Sequence, residues 1–91
     1  MLSELDKNQI IQTARQYGAS QVFLFGSSTD SRHEGRDIDI AVAGIPARLF
    51  FQFYGDLMFK LSKPLDVVDL TQSNKFTQLI RQEGVILYEQ S

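Results

Sequence analysis

Three acidic side chains set behind a glycine–serine turn carry the chemistry that can be read from this chain. Asp37 and Asp39 lie in Asp37-Ile38-Asp39, and Asp66 lies in Pro64-Leu65-Asp66-Val67-Val68. The turn, Gly26-Ser27, follows the apolar run Val22-Phe23-Leu24-Phe25. Carboxylates are hard oxygen ligands, suited to Mg²⁺ ions that are shared with substrate phosphates. A strand-end Gly-Ser exposes backbone N–H groups beside a small hydroxyl, which together can cradle anionic oxygens. The two parts could therefore supply both halves of a site for metal-assisted chemistry at phosphorus.

Each part also has a plain alternative. Gly-Ser is a common way to leave a strand, and the Gly-Lys-Ser/Thr signature of a P-loop is missing. Asp37 and Asp39 are two residues apart, so on a strand they share one face, about 6–7 Å apart at Cα. At ~6 Å and an effective dielectric near ~20, such a pair repels by about 3 kcal/mol. A cation would offset that repulsion; a solvated edge strand would screen it. Asp66 breaks an otherwise apolar strand, where a lone carboxylate is expensive to bury. If its strand lies beside that of Asp39, a three-carboxylate cluster results. Asp69 falls on the opposite face by alternation and reads as a strand-end or solvent residue.

The elements that must position these residues follow from local pattern. Ser3 opens a helix, with Asp6 three residues on as in a capping box, and Gly18 ends it. Gln21–Phe25 is an apolar strand of the kind buried on both faces. Residues 28–36 are polar and contain Gly35, which suggests a helical turn and then a loop. Residues 37–42 alternate, with Ile38, Ile40 and Val42 on one face and Asp37, Asp39 and Ala41 on the other. Pro46 suits the first turn of a long helix reaching about Ser62. Residues 65–70 form a third strand, Ser73 caps a last helix through Gln82, and Val85–Tyr88 closes as a short strand. The expectation is an α/β (α+β) fold: one domain over 1–91, a small mixed β-sheet flanked by helices.

Bulk properties narrow the function class. With 91 residues, 43% of them hydrophobic, the chain can build one modest core. Its net charge of −2 and scattered Lys and Arg argue against a general nucleic-acid binder. No cysteine is present, so neither disulfides nor thiolate metal sites are available. The sequence has no signal-peptide core and no run of about 18–20 apolar residues. A soluble, cytoplasmic protein is the default expectation.

The combination of Phe25-Gly26-Ser27, Arg36-Asp37-Ile38-Asp39-Ile40-Ala41-Val42 and Leu65-Asp66-Val67-Val68-Asp69-Leu70 resembles the minimal nucleotidyltransferases of the DNA polymerase β-like superfamily. The resemblance extends over nearly the whole chain, to Arg81-Gln82-Glu83-Gly84-Val85. It implies a catalytic core that transfers a nucleoside monophosphate from an NTP, with ATP the expected donor. On that basis Gly26 and Ser27 contact the triphosphate, and Asp37 and Asp39 bind two Mg²⁺ ions. Asp66 completes the second metal site and helps deprotonate the acceptor. One departure stands out: where many members carry a small residue and an arginine after Gly-Ser, this chain has Thr29 and Asp30. Arg32, His33 and Arg36 are the nearby candidates for the missing positive charge.

The long helix has two faces. Leu49, Phe50, Phe53, Tyr54, Leu57 and Leu61 make a core-facing stripe, while Phe51, Met58 and Phe59 lie outside its centre around Gly55. Read as a partner surface, this outer face allows either another protein or a homo-oligomer through helix 46–62; read as core, it is a wide stripe with a stray aromatic. The resemblance also implies a helical HEPN protein as partner and acceptor, in a toxin–antitoxin pair. Three functions then compete. One is protein adenylylation, and another is an idle transferase fold that neutralises a HEPN partner by binding. The third, transfer to a small molecule, lacks a second domain to form the pocket.

Overall fold

In a computed structural model, which describes residues 2–26 and 37–90, the chain builds a four-stranded mixed sheet with helices on both faces. The elements run α1 (Glu4–Gln16), β1 (Gln21–Phe25), β2 (Ile38–Ala43), α2 (Ala47–Lys60), β3 (Leu65–Asp69), α3 (Lys75–Glu83) and β4 (Val85–Glu89). Strand order is β3-β2-β1-β4. β1 pairs antiparallel with β2 and with β4, whereas β2 and β3 are parallel. That parallel pair requires a long crossover, which α2 provides. Among the described residues, no helix is long and apolar enough to cross a membrane.

Alternation along the strands sorts the core into two layers. Val22, Leu24, Ile38, Ile40 and Val42 face α1 and α2, where they meet Ile10, Ala14, Phe53 and Leu57. Phe53 and Leu57 are fully buried, and burying each side chain stabilises the fold by about 1.5–3 kcal/mol. On the other face, Phe23, Ala41, Ala43 and Leu70 pack with Ile80 of α3, flanked by Phe25 and Val68. The second layer is smaller, and Asp39 and Asp66 project from the same face as Ala41 and Val68.

Three local expectations are corrected by the structure. Ser3 does cap α1, its hydroxyl oxygen accepting from the Asp6 backbone N–H at 3.1 Å. The Asp6 carboxylate, however, turns away. It is 2% exposed and accepts from the Ser62 backbone N–H (3.1 Å) and hydroxyl (2.5 Å). Aspartate is one methylene shorter than the glutamate that normally closes a capping box, so a distant partner captures it. The last helix is capped by Asn74, one residue beyond Ser73. Asn74 Oδ1 accepts from the Thr77 N–H and Thr77 Oγ1 accepts from the Asn74 N–H, both at 2.9 Å. Lastly, Pro46 stands just before α2 as its N-cap, with ψ at 143°, and the helix ends at Lys60. The helical turn and loop expected over 28–36 lie outside the described residues.

Candidate active site

The positions of the carboxylates follow from strand register. Because β2 and β3 run parallel with Ile38 opposite Leu65, Asp39 falls directly opposite Asp66. Neighbouring strands stand about 4.8 Å apart, so the two carboxylates share one face as immediate neighbours. Ala41 and Val68 lie next on that face and are roofed toward Ile80, whereas at the carboxylate end Asp66 is exposed and Asp39 half-buried. Asp37 sits just ahead of β2 and is exposed.

Gly26 completes this corner. Phe25 is the antiparallel partner of Asp39, and Gly26 follows with a φ of +69°, in the left-handed region that favours glycine. A Cβ at this position would stand 2.6 Å from Asp39 Oδ2. The glycine thus permits both the turn and the close approach of the carboxylate. Ser27, its expected companion at the triphosphate, lies outside the described residues, as do Thr29, Asp30, Arg32, His33 and Arg36.

The electrostatics match this crowding. Partial burial raises the Asp39 pKa above the usual carboxylate value, and the charges of Asp66 and Asp37 push it further in the same direction. Hard oxygens on adjacent strands are the donor set that suits Mg²⁺. Among the described residues, no three His, Cys, Asp or Glu side chains are grouped closely enough to hold a metal ion. Like charges repelling across a few ångströms disfavour closer convergence. The structure therefore brings Asp39 and Asp66 together, with Asp37 within electrostatic reach.

Two further features are missing from the sequence reading. Tyr54 of α2, which falls in the core-facing stripe, carries its hydroxyl to the carboxylates. It donates to the Leu65 carbonyl at 2.8 Å and lies 3.4 Å from Asp66 Oδ1. Burial, followed by the Asp66 charge, raises the Tyr54 pKa, so the phenol remains a donor. The helical periodicity locates the ring but gives no sign of where the hydroxyl ends. The second feature is a cleft of about 450 Å³ lined by Phe25, Gly26, Phe76, Leu79, Ile80 and Glu83. Phe25 and Phe76 meet edge-to-face there, with centroids 5.9 Å apart. The signal available in the sequence was the apolar spacing Phe76, Leu79, Ile80 along α3.

Comparison with known proteins agrees with this geometry. The family model described as "Polymerase beta, Nucleotidyltransferase" matches residues 8–91. A crystal structure of a toxin–antitoxin with AMP-PNP is similar at 26% identity and a TM-score of 0.76, over 96% of this chain and 76% of that one. A structure of tri-AMPylated Shewanella oneidensis HEPN toxin in complex with MNT antitoxin is similar at 25% identity and a TM-score of 0.74, over 98% and 74% of the respective chains. The toxin–antitoxin MntA–HepT, at 24% identity and a TM-score of 0.72, shares the fold over 97% and 74%. A search of curated proteins gave no match.

Proposed function

This chain belongs to the polymerase beta nucleotidyltransferase family, and on that premise we propose that it moves AMP from ATP onto a hydroxyl of a HEPN-type partner, as the antitoxin of a toxin–antitoxin pair. The observation that carries the reading is the register pair Asp39–Asp66 on one sheet face, with Gly26 against Asp39. The choice of nucleotide and partner is supported by similar structures, one with AMP-PNP and one of an AMPylated HEPN toxin with MNT antitoxin.

In this proposal Asp39 and Asp66, with Asp37 nearby, would hold a divalent cation, which would supply neutralisation of phosphate charge and activation of the acceptor oxygen. Gly26 and Ser27 receive the triphosphate at the end of β1. The apolar cleft beside Gly26 falls in the usual ligand-pocket range of about 300–1,000 Å³ and offers the nucleoside a surface to lie on. The acceptor oxygen attacks the α-phosphorus, forming a new P–O bond as the α–β phosphoanhydride bond breaks and pyrophosphate leaves. The hydroxyl proton passes to the Asp66 carboxylate or to water. Tyr54, held on Leu65 and Asp66, keeps that carboxylate oriented.

The test is transfer of label from α-labelled ATP to the HEPN protein co-purified with this chain, with γ-labelled ATP as control. Label from the α position only, lost with Asp39→Asn, is the expected result. A stable complex without transfer from any NTP would replace this reading with that of an idle binding module.

A further inference from the structure

On the outer side of α2, Phe51 is 81% exposed and Phe59 is 89% exposed, with Met58 half exposed beside them. Gly55 lies midway between the two phenylalanines, and a Cβ built there would meet nothing within 4 Å among the described residues. Packing within the described fold therefore does not require glycine at this position. A glycine in a helix interior costs about 1 kcal/mol relative to alanine. Something outside the chain is the better reason for its presence.

The spacing says what that something is. Phe51, Gly55 and Phe59 follow one another at intervals of four residues and so share one stripe of the helix. The pattern is symmetric about Gly55: each ring is four residues, about 6 Å, from the glycine. A two-fold axis through Gly55 would place Phe51 against the partner's Phe59, and Phe59 against the partner's Phe51. The two backbones would cross closely where neither carries a side chain. A self-complementary patch of this kind is what an isologous dimer requires. Two exposed phenylalanines and a methionine supply about 400 Å² per chain, so even with flanking polar residues the interface falls at the small end of specific ones, below about 1,200 Å² in total, as a concentration-dependent dimer requires.

We infer that α2 is a homodimer surface, with two copies of this chain crossing antiparallel at Gly55. The face lies on the opposite side of α2 from Phe53 and Leu57 and needs no part of the carboxylate site. The inference therefore stands apart from the proposed transfer reaction.

The absence of cysteine from the chain allows a geometric test. Gly55→Cys should crosslink to itself under mild oxidation. Phe51→Cys and Phe59→Cys should each fail alone, since like positions would be about 12 Å apart along the axis, beyond the ~7 Å Cα separation a disulfide can bridge. An equimolar mixture of those two variants should crosslink. Sedimentation of the unmodified chain should show a concentration-dependent dimer, and Phe59→Glu a monomer whose melting temperature matches that of the unmodified chain at concentrations too low for dimer. A chain that stays monomeric at high micromolar concentration overturns the inference, as does a dimer indifferent to Phe59→Glu. If it stays monomeric and Phe59→Glu abolishes HEPN binding, the face belongs to that partner.

Discussion

Gly26 and Asp39 are fitted to each other: the hydrogen-only α-carbon of one faces the carboxylate of the other, and a single methyl group would come within 2.6 Å of Oδ2. The contact joins the glycine leaving β1 to the acidic pair on β2 and β3, so the proposed triphosphate turn and the carboxylates meet at one point. Displacing either displaces both.

Gly26→Ala is therefore expected to damage function more than folding. Its φ of +69° costs a non-glycine residue about 1–2 kcal/mol. The methyl group must also push the Asp39 carboxylate aside, and misplacement by about 1 Å at a reacting centre can lower a rate by ~100-fold. Denaturant unfolding should show the modest loss in stability, and labelled-ATP transfer the larger loss in rate.

Asp39 makes the folded state less stable at neutral pH. Its folded-state pKa is raised, by burial first and then by Asp66 and Asp37, so folding disfavours its ionised form. The sign follows from linkage: no penalty exists below the ordinary carboxylate pKa, and a constant one exists above the raised value. In metal-free buffer, Asp39→Asn should melt higher than the natural chain at neutral pH, and the difference should vanish in acid. Added Mg²⁺ or Mn²⁺ should raise the melting temperature of the natural chain but not that of the variant. An equal response to metal in both would remove Asp39 from the metal site.

Tyr54→Phe deletes the donor to the Leu65 carbonyl and the neighbour of Asp66. About 1 kcal/mol of stability should go with it. Because the raised Tyr54 pKa keeps the phenol protonated, this contribution should persist up to pH ~10 and fade only as the pH climbs through the folded value. Mn²⁺ affinity should fall in the variant if the hydroxyl orients Asp66, and remain unchanged if it only ties α2 to β3.

Ser62→Ala leaves the buried Asp6 carboxylate without its hydroxyl donor, though the backbone N–H of residue 62 remains. Hydrogen bonds to charged groups are worth about 1.5–3 kcal/mol, so a loss in that range is expected from thermal or urea unfolding. No change in stability would show that Asp6 is satisfied by other means.

How far the sequence could be read depended on the range of the forces involved. The alternation of Ile38, Asp39, Ile40 and Ala41 is a local property of a pleated strand and appears as such in the fold. The Phe53–Leu57 stripe of α2 is local in the same sense. By contrast, the pairing of Asp39 with Asp66 depends on which strands become neighbours and in what register. No residue type in either segment encodes that register. Asp6 was misread because its partner, Ser62, is distant in sequence; Tyr54 packs against the core as its place in the stripe implies, but a helical wheel leaves its hydroxyl unplaced.

The parallel pairing of β2 with β3 also has a consequence for the order in which the molecule forms. β1 and β2 can pair early as antiparallel neighbours, but Asp66 reaches Asp39 only after the whole of α2 has crossed the sheet. Closing such a long loop before its contacts reward it is what slows folding in chains of high contact order. The carboxylate pair is thus absent from any species in which β3 has not docked. A partly folded chain in which β3 is undocked, however compact, therefore lacks the acidic pair on which the proposed transfer rests.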